Sequence, residues 1–153
     1  FAAHNALYSA FEAASKMPAS EKRNALMTAA AAGLLRMCKN KECGAALVKS
    51  GQFKKMMQAA LANPDNEELA EHMMNMAALL ASNPANIAKM VADGAIEDII
   101  ALAKQHPLNE KILAAATKAL GLLGNSEENI MRIIRAGGAE VVVEVSLARV
   151  NVS

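Results

Sequence analysis

The chain has 153 residues, of which 54% are hydrophobic, 20% charged and only 3% aromatic, with a formal charge of +1. So apolar a composition excludes a disordered chain, and so balanced a charge gives no net field to draw in nucleic acid. The longest uninterrupted apolar runs, such as Ala29 to Leu35, fall far short of the roughly 20 residues that a membrane span requires.

Ala, Leu and Met are helix formers, and the aromatics that favour strands are nearly absent, so the expected class is all-helical. Phe1 to Lys16 reads as the second helix of an incomplete unit and Ser20 to Cys38 as its third. A short first helix of the next unit lies near Glu42 to Lys49, and the second, Gln52 to Leu61, follows it. Asn66 to Ala81 is longer, with Met73, Met76, Ala77 and Leu80 at helical spacing. Asn86 to Ala92 is short again and ends at the Asp93-Gly94 turn. Gly94 is expected at positive φ, a conformation that a residue with a β-carbon resists. Ala95 to Gln105 puts Ile96, Ile99, Ile100 and Ala103 on one stripe before Pro107 stops it. Asn109 is the expected N-cap of a helix running to about Gly124, whose stripe is Ile112, Ala116, Ala119, Leu120 and Leu123. After Asn129 comes a short helix, then Gly137-Gly138, then a helix from Ala139 to Arg149. Val141, Val142, Val143 and Val145 favour strand by local propensity, and their place in the repeat described next assigns them to helix.

The chain repeats itself at an offset of 43 residues. Gly51, Gly94 and Gly137 keep that spacing, as do Val48, Val91 and Ile134, and Cys43, Asn86 and Asn129. Pro64, Asn66 and Glu67 match Pro107, Asn109 and Glu110. A triple glycine ladder with a matched Pro-x-Asn-Glu is the mark of a repeat protein. Each unit reads as two shorter helices and one longer third helix. Residues 40–82 and 83–125 are full units, and 1–39 and 126–153 are partial ones, together a single domain.

The unit Asn-Ile-x-x-x-Val-x-x-Gly-Ala-Ile-x-x-Ile-Ile-x-Leu, then Pro-x-Asn-Glu, then Ala-Leu-Gly-Leu-Leu resembles an armadillo repeat, over nearly the whole chain. That resemblance implies a right-handed α-solenoid of three-helix units whose third helices line a concave groove for peptides or partner proteins. It also implies a cytoplasmic or nuclear location.

Motifs for catalysis are absent: no Gly-rich phosphate loop, no G-x-S-x-G and no H-E-x-x-H. His4, His72 and His106 are scattered, and Cys38 and Cys43 lack further ligands at zinc-site spacing, so both thiols are expected in the core. The expectation is a non-enzyme with no cofactor and no metal. A basic run of Arg36, Lys39, Lys41, Lys49, Lys54 and Lys55 reads as solvated surface, since few aromatics are present to stack bases and Asp65, Glu67 and Glu68 follow.

The resemblance also locates the expected site. Peptide-binding armadillo proteins carry a Trp and, four residues later, an Asn on the third helix. Here Ala32, Asn75 and Lys118 stand at the Trp position, and Arg36, Leu79 and Leu122 at the Asn position. No unit keeps either residue, and Glu71 is the one carboxylate a turn earlier in a third helix, so reading of basic localisation peptides is not expected. What remains is a mixed, mildly basic groove of Arg36, Glu71, Met74, Asn75, Leu79, Lys118 and Leu122. Met74 is included because it falls out of register with the Met73, Met76, Ala77 and Leu80 stripe. Leu79 and Leu122 either face a partner there or turn inward and pack.

The expected function is a protein–protein interaction scaffold for a protein or peptide ligand, with neither nucleic acid nor membrane as partner. Two other readings stand beside it: a structural or self-associating segment of a longer solenoid, and a regulatory module acting on a GTPase or an adjacent catalytic domain. The opening on Phe1 and the last helix without a third helix to cover it suggest a piece whose ends continue or self-associate into a homo-oligomer.

Overall fold

The computed structural model describes residues 2–143, and within them the chain is all-helical and repeat-like. Nine helices follow in order: α1 (Ala2–Ser15), α2 (Glu21–Met37), α3 (Lys41–Lys49), α4 (Gln52–Leu61), α5 (Glu67–Ala81), α6 (Pro84–Ala92), α7 (Ala95–Gln105), α8 (Glu110–Leu123) and α9 (Glu127–Arg135). Residues 138–143 open a further helix. Val141, Val142 and Val143 are therefore helical, so their place in the repeat overrides their strand propensity. Val145 and the rest of the helix expected to run to Arg149 lie outside the described residues.

Short polar side chains start most of these helices. Ser20, Asn40, Asn66, Asn83, Asn109 and Ser126 each accept a hydrogen bond from a backbone N–H in the first turn, which satisfies donors that have no partner inside the helix. By contrast, α4 and α7 start at glycines without a side-chain cap. Gly51 has φ 81° and Gly94 has φ 86°, and Gly137, third on the ladder, has φ 92°. The left-handed turn at each rung sends the chain from a first helix into a second.

Two helix starts differ from the sequence expectation. α6 begins at Pro84, two residues before Asn86, because Asn83 caps it and proline's fixed φ suits the first helical position. Asn86 lies inside the helix, where it is buried and donates from Nδ2 to the Leu80 carbonyl at 2.9 Å. Likewise α9 starts under Ser126, and Asn129 donates to the Leu123 carbonyl at 3.0 Å. The asparagines of the ladder thus bind each first helix back onto the end of the preceding third helix. Cys43 holds the corresponding position in the first copy and is buried.

Helices three apart in the chain pack on one another: α2 on α5, α5 on α8, α3 on α6 and α4 on α7. Neighbours within a unit close the remaining faces, giving one continuous apolar core. Ile96, Ile99, Ile100 and Ala103 of α7 are all buried, as their spacing predicts. The middle of this stack is α5, with α2 and α8 on its two flanks and α3, α4, α6 and α7 also in contact. Buried there are Leu69, Ala70, Met73, Met74, Met76, Ala77, Ala78, Leu80 and Ala81, far more than one amphipathic stripe.

This corrects the expectation for Met74. Being out of register with one stripe does not expose it, because a helix with partners on both flanks buries a second stripe as well. Met74 is 0% exposed. Flexible thioethers fill much of the centre, with Met27, Met56, Met57, Met73, Met76 and Met90 similarly enclosed.

Candidate functional site

The third helices α2, α5 and α8 lie side by side with α5 in the middle. Matching hydrogen bonds fix their mutual position. Asn66, the cap of α5, donates from Nδ2 to Thr28 Oγ1 of α2 at 3.1 Å. Asn109, the cap of α8, donates from Nδ2 to Glu71 Oε1 of α5 at 2.8 Å. Asn109 at the start of α8 meets Glu71, and Lys118 farther along α8 lines a depression with Asn75, Leu79 and Ser82, so α5 and α8 run in the same direction.

A concavity opens between each pair. The one between α5 and α8 has a volume of about 480 Å³ and is lined by Asn75, Ala78, Leu79 and Ser82 from α5 and Lys111, Ala114, Ala115 and Lys118 from α8. The one between α2 and α5, about 320 Å³, is lined by Asn24, Ala25, Thr28, Ala29 and Ala32 with Asn66, Glu68 and His72. A smaller depression of about 250 Å³ lies between α3 and α6, against Val48, Lys49, Asn86 and Lys89.

The expected groove residues divide among these places. Asn75, Leu79 and Lys118 come together in the α5–α8 concavity, while Ala32 lines the α2–α5 one. Arg36 is exposed and Leu122 half-buried, and neither lines these concavities. Glu71 is half-buried and engaged by Asn109. Leu79 and Leu122 take a middle course, packing against the core while keeping part of their surface open. Sequence reasoning missed Ala78, Ser82, Lys111, Ala114 and Ala115. The signal for two of them was present, since Lys111 and Ala114 precede Lys118 by two turns and one turn and so share its face of α8.

Charge is unevenly spread over this surface. Lys111 and Lys118 are exposed and have no carboxylate partner among the described residues. In the α2–α5 concavity Glu68 stands 3.8 Å from His72 Nε2. Away from these concavities, Lys54 reaches Asp98 at 2.9 Å, and Arg132 grips Glu97 with two bonds of 2.8 and 2.7 Å. The Arg132 guanidinium holds the Glu97 carboxyl below its ordinary value by hydrogen bonding.

Thiol and metal chemistry find little footing. Burial, with Cys43 nearby, pushes the Cys38 thiol up to about 12, which keeps it protonated at neutral pH and a poor nucleophile. No group of three or more His, Cys, Asp or Glu among the described residues could hold a metal ion. No helix there is long and apolar enough to cross a membrane. The α5–α8 concavity has an apolar floor edged by ammonium, amide and hydroxyl groups. Comparison with protein-family models, with curated proteins and with solved structures returned no match to this chain.

Proposed function

We propose that this chain is a non-enzymatic protein-interaction scaffold of armadillo type, and that the face carrying α2, α5 and α8 holds an extended segment of a partner protein. The observation that carries this reading is the α5–α8 concavity, where Asn75, Leu79 and Lys118, expected at the ligand face from the repeat, line one depression. Three further features support it. Helices three apart pack on one another, the turn glycines share positive φ, and α5 and α8 run the same way. Binding in such a groove draws on a few anchors seated on a rigid frame rather than on total area.

The test is a pull-down from lysate comparing the wild-type protein with the Asn75→Glu, Lys118→Glu double variant. Both positions are exposed, so circular dichroism is expected to be unchanged. Partners retained by the wild type and lost from the variant support the groove reading. Identical sets of partners overturn it.

A second reading draws on α9. Ile130, Met131 and Ile134 are 47%, 41% and 53% exposed, an apolar face that suits contact between copies of this chain. A single monomeric mass in light scattering at high protein concentration counts against that contact.

A further inference from the structure

The α5–α8 concavity has a definite polarity, laid out along the two helices. Lys111 and Lys118 lie two turns apart on α8, which puts them about 10 Å apart along the axis at ~1.5 Å per residue. With α5 and α8 running the same way and Asn109 level with Glu71, Asn75 falls toward the Lys111 end and Ser82 toward the Lys118 end. One end therefore offers an ammonium and the Asn75 amide, and the other an ammonium beside Ser82, whose hydroxyl already donates to the Leu79 carbonyl. Between them the floor is aliphatic, made by Ala78, Leu79, Ala114 and Ala115. The nearest carboxylate of α5, Glu71, is already engaged by Asn109, and no carboxylate lines the concavity.

We propose that this concavity binds an acidic peptide segment of a partner protein, with two carboxylates about 10 Å apart and an aliphatic side chain between them. In a polyproline II segment, with a rise of ~3.1 Å per residue and three residues per turn, acidic residues three apart lie on one side, about 9 Å apart, and meet both lysines. The proposal rests on the groove reading above and adds its chemical class. Two ammonium groups facing a ligand attract carboxylates and repel cationic peptides. Single-stranded nucleic acid is the weaker fit, because base binding relies on aromatic platforms and this floor is built of methyl and methylene groups.

The test uses fluorescein-labelled Gly-Glu-Ala-Leu-Glu-Gly and two matched peptides, with Gln or with Lys in place of both Glu, in fluorescence polarisation at low ionic strength. Oligothymidylate is run beside them. The Glu peptide is expected to bind about fivefold to tenfold more tightly than the Gln peptide, the scale of two exposed ion pairs, with the difference shrinking as salt is added. Lys111→Gln with Lys118→Gln should erase the difference, and Lys111→Glu with Lys118→Glu should turn the preference toward the Lys peptide. Equal binding of Glu and Gln peptides, both lost on Ala114→Arg, overturns the acidic class and leaves the groove reading in place. Equal binding untouched by Ala114→Arg overturns both. Absence of binding by any of the three peptides, or tighter binding of oligothymidylate through the same lysines, overturns the proposal.

Discussion

Asn109 works in two directions at once. Its Oδ1 accepts from the Ile112 backbone N–H at 3.0 Å and its Nδ2 donates to Glu71 Oε1 at 2.8 Å. The same side chain that starts α8 therefore ties it to α5. Asn66 repeats the device one unit earlier, accepting from the Leu69 N–H at 3.1 Å and donating to Thr28. An amide combines an acceptor and a donor on one short arm, which explains asparagine in both copies.

Asn109→Asp separates the two roles. The carboxylate still caps the helix, but it has no donor for Glu71 and places two like charges together. We expect a loss of about 1–2 kcal/mol at neutral pH, with Asn109→Ser losing less because no charge is added. Chemical denaturation of the two variants measures the difference, and equal stability of Asn109→Asp and wild type would refute the link.

Two glycines should respond in opposite ways. Gly94 sits at φ 86°, and a β-carbon there would also stand 3.4 Å from Lys54 Nζ. Gly94→Val should cost more than about 1 kcal/mol, since a β-branched residue is strained at positive φ. Gly121 lies inside α8, and a β-carbon added there would have no neighbour within 4 Å. Gly121→Ala should stabilise by about 0.5–1 kcal/mol through helix propensity alone. Thermal melts of both variants decide the matter.

The burial of Met74 gives a sharp contrast with Leu122. Met74→Ala removes a fully enclosed side chain and should cost about 2–5 kcal/mol. Leu122→Ala, at a half-buried position, should cost about 1 kcal/mol, because part of its surface is in water already. Urea unfolding of the pair checks the ranking; equal losses would place Leu122 in the core.

Glu97 carries a pH dependence with a definite sign. Its folded-state value is lowered, first by the hydrogen bonds from Arg132, so the ion pair's contribution is present above the ordinary glutamate value of ~4.3. It is lost as pH falls from there through the lowered folded value. Both side chains are more than a third exposed, so screening keeps the contribution under about 1 kcal/mol. Arg132→Gln should remove this part of the acid-side loss, seen as a flatter stability curve below pH ~4.3 in urea titrations.

Much of the helix layout is legible in the sequence, and the reasons differ by element. The bounds of α4 and α7 follow from Gly51 and Gly94 on one side and from the turns near Pro64 and Pro107 on the other, signals that act locally. The start of α6 is harder to read, because Asn86 matches the ladder whereas the cap is Asn83 beside Pro84. Met74 escapes the helical pattern because its burial depends on α2 and α8 flanking α5, a fact of packing that a single helix's periodicity does not carry. At the site, Asn75, Leu79 and Lys118 follow from the repeat, and Lys111 shares the Lys118 face of α8 two turns earlier, but that face alone does not say which neighbour it meets. Its role comes from the stagger of α8 along α5, which is set by the Asn109 bond.

The stacking of helices three apart also governs how the molecule comes undone. Contacts reach from one unit to the next and little further, so opening is expected to begin at the margins and travel inward. No residue of α9 is buried, whereas α5 is enclosed by α2, α3, α4, α6, α7 and α8. Amide hydrogens of α5 should thus be the last to exchange with deuterium and those of α9 among the first. The segment that holds one wall of the candidate site is therefore expected to open most slowly among the described helices, so the proposed groove would keep its shape in the absence of a ligand.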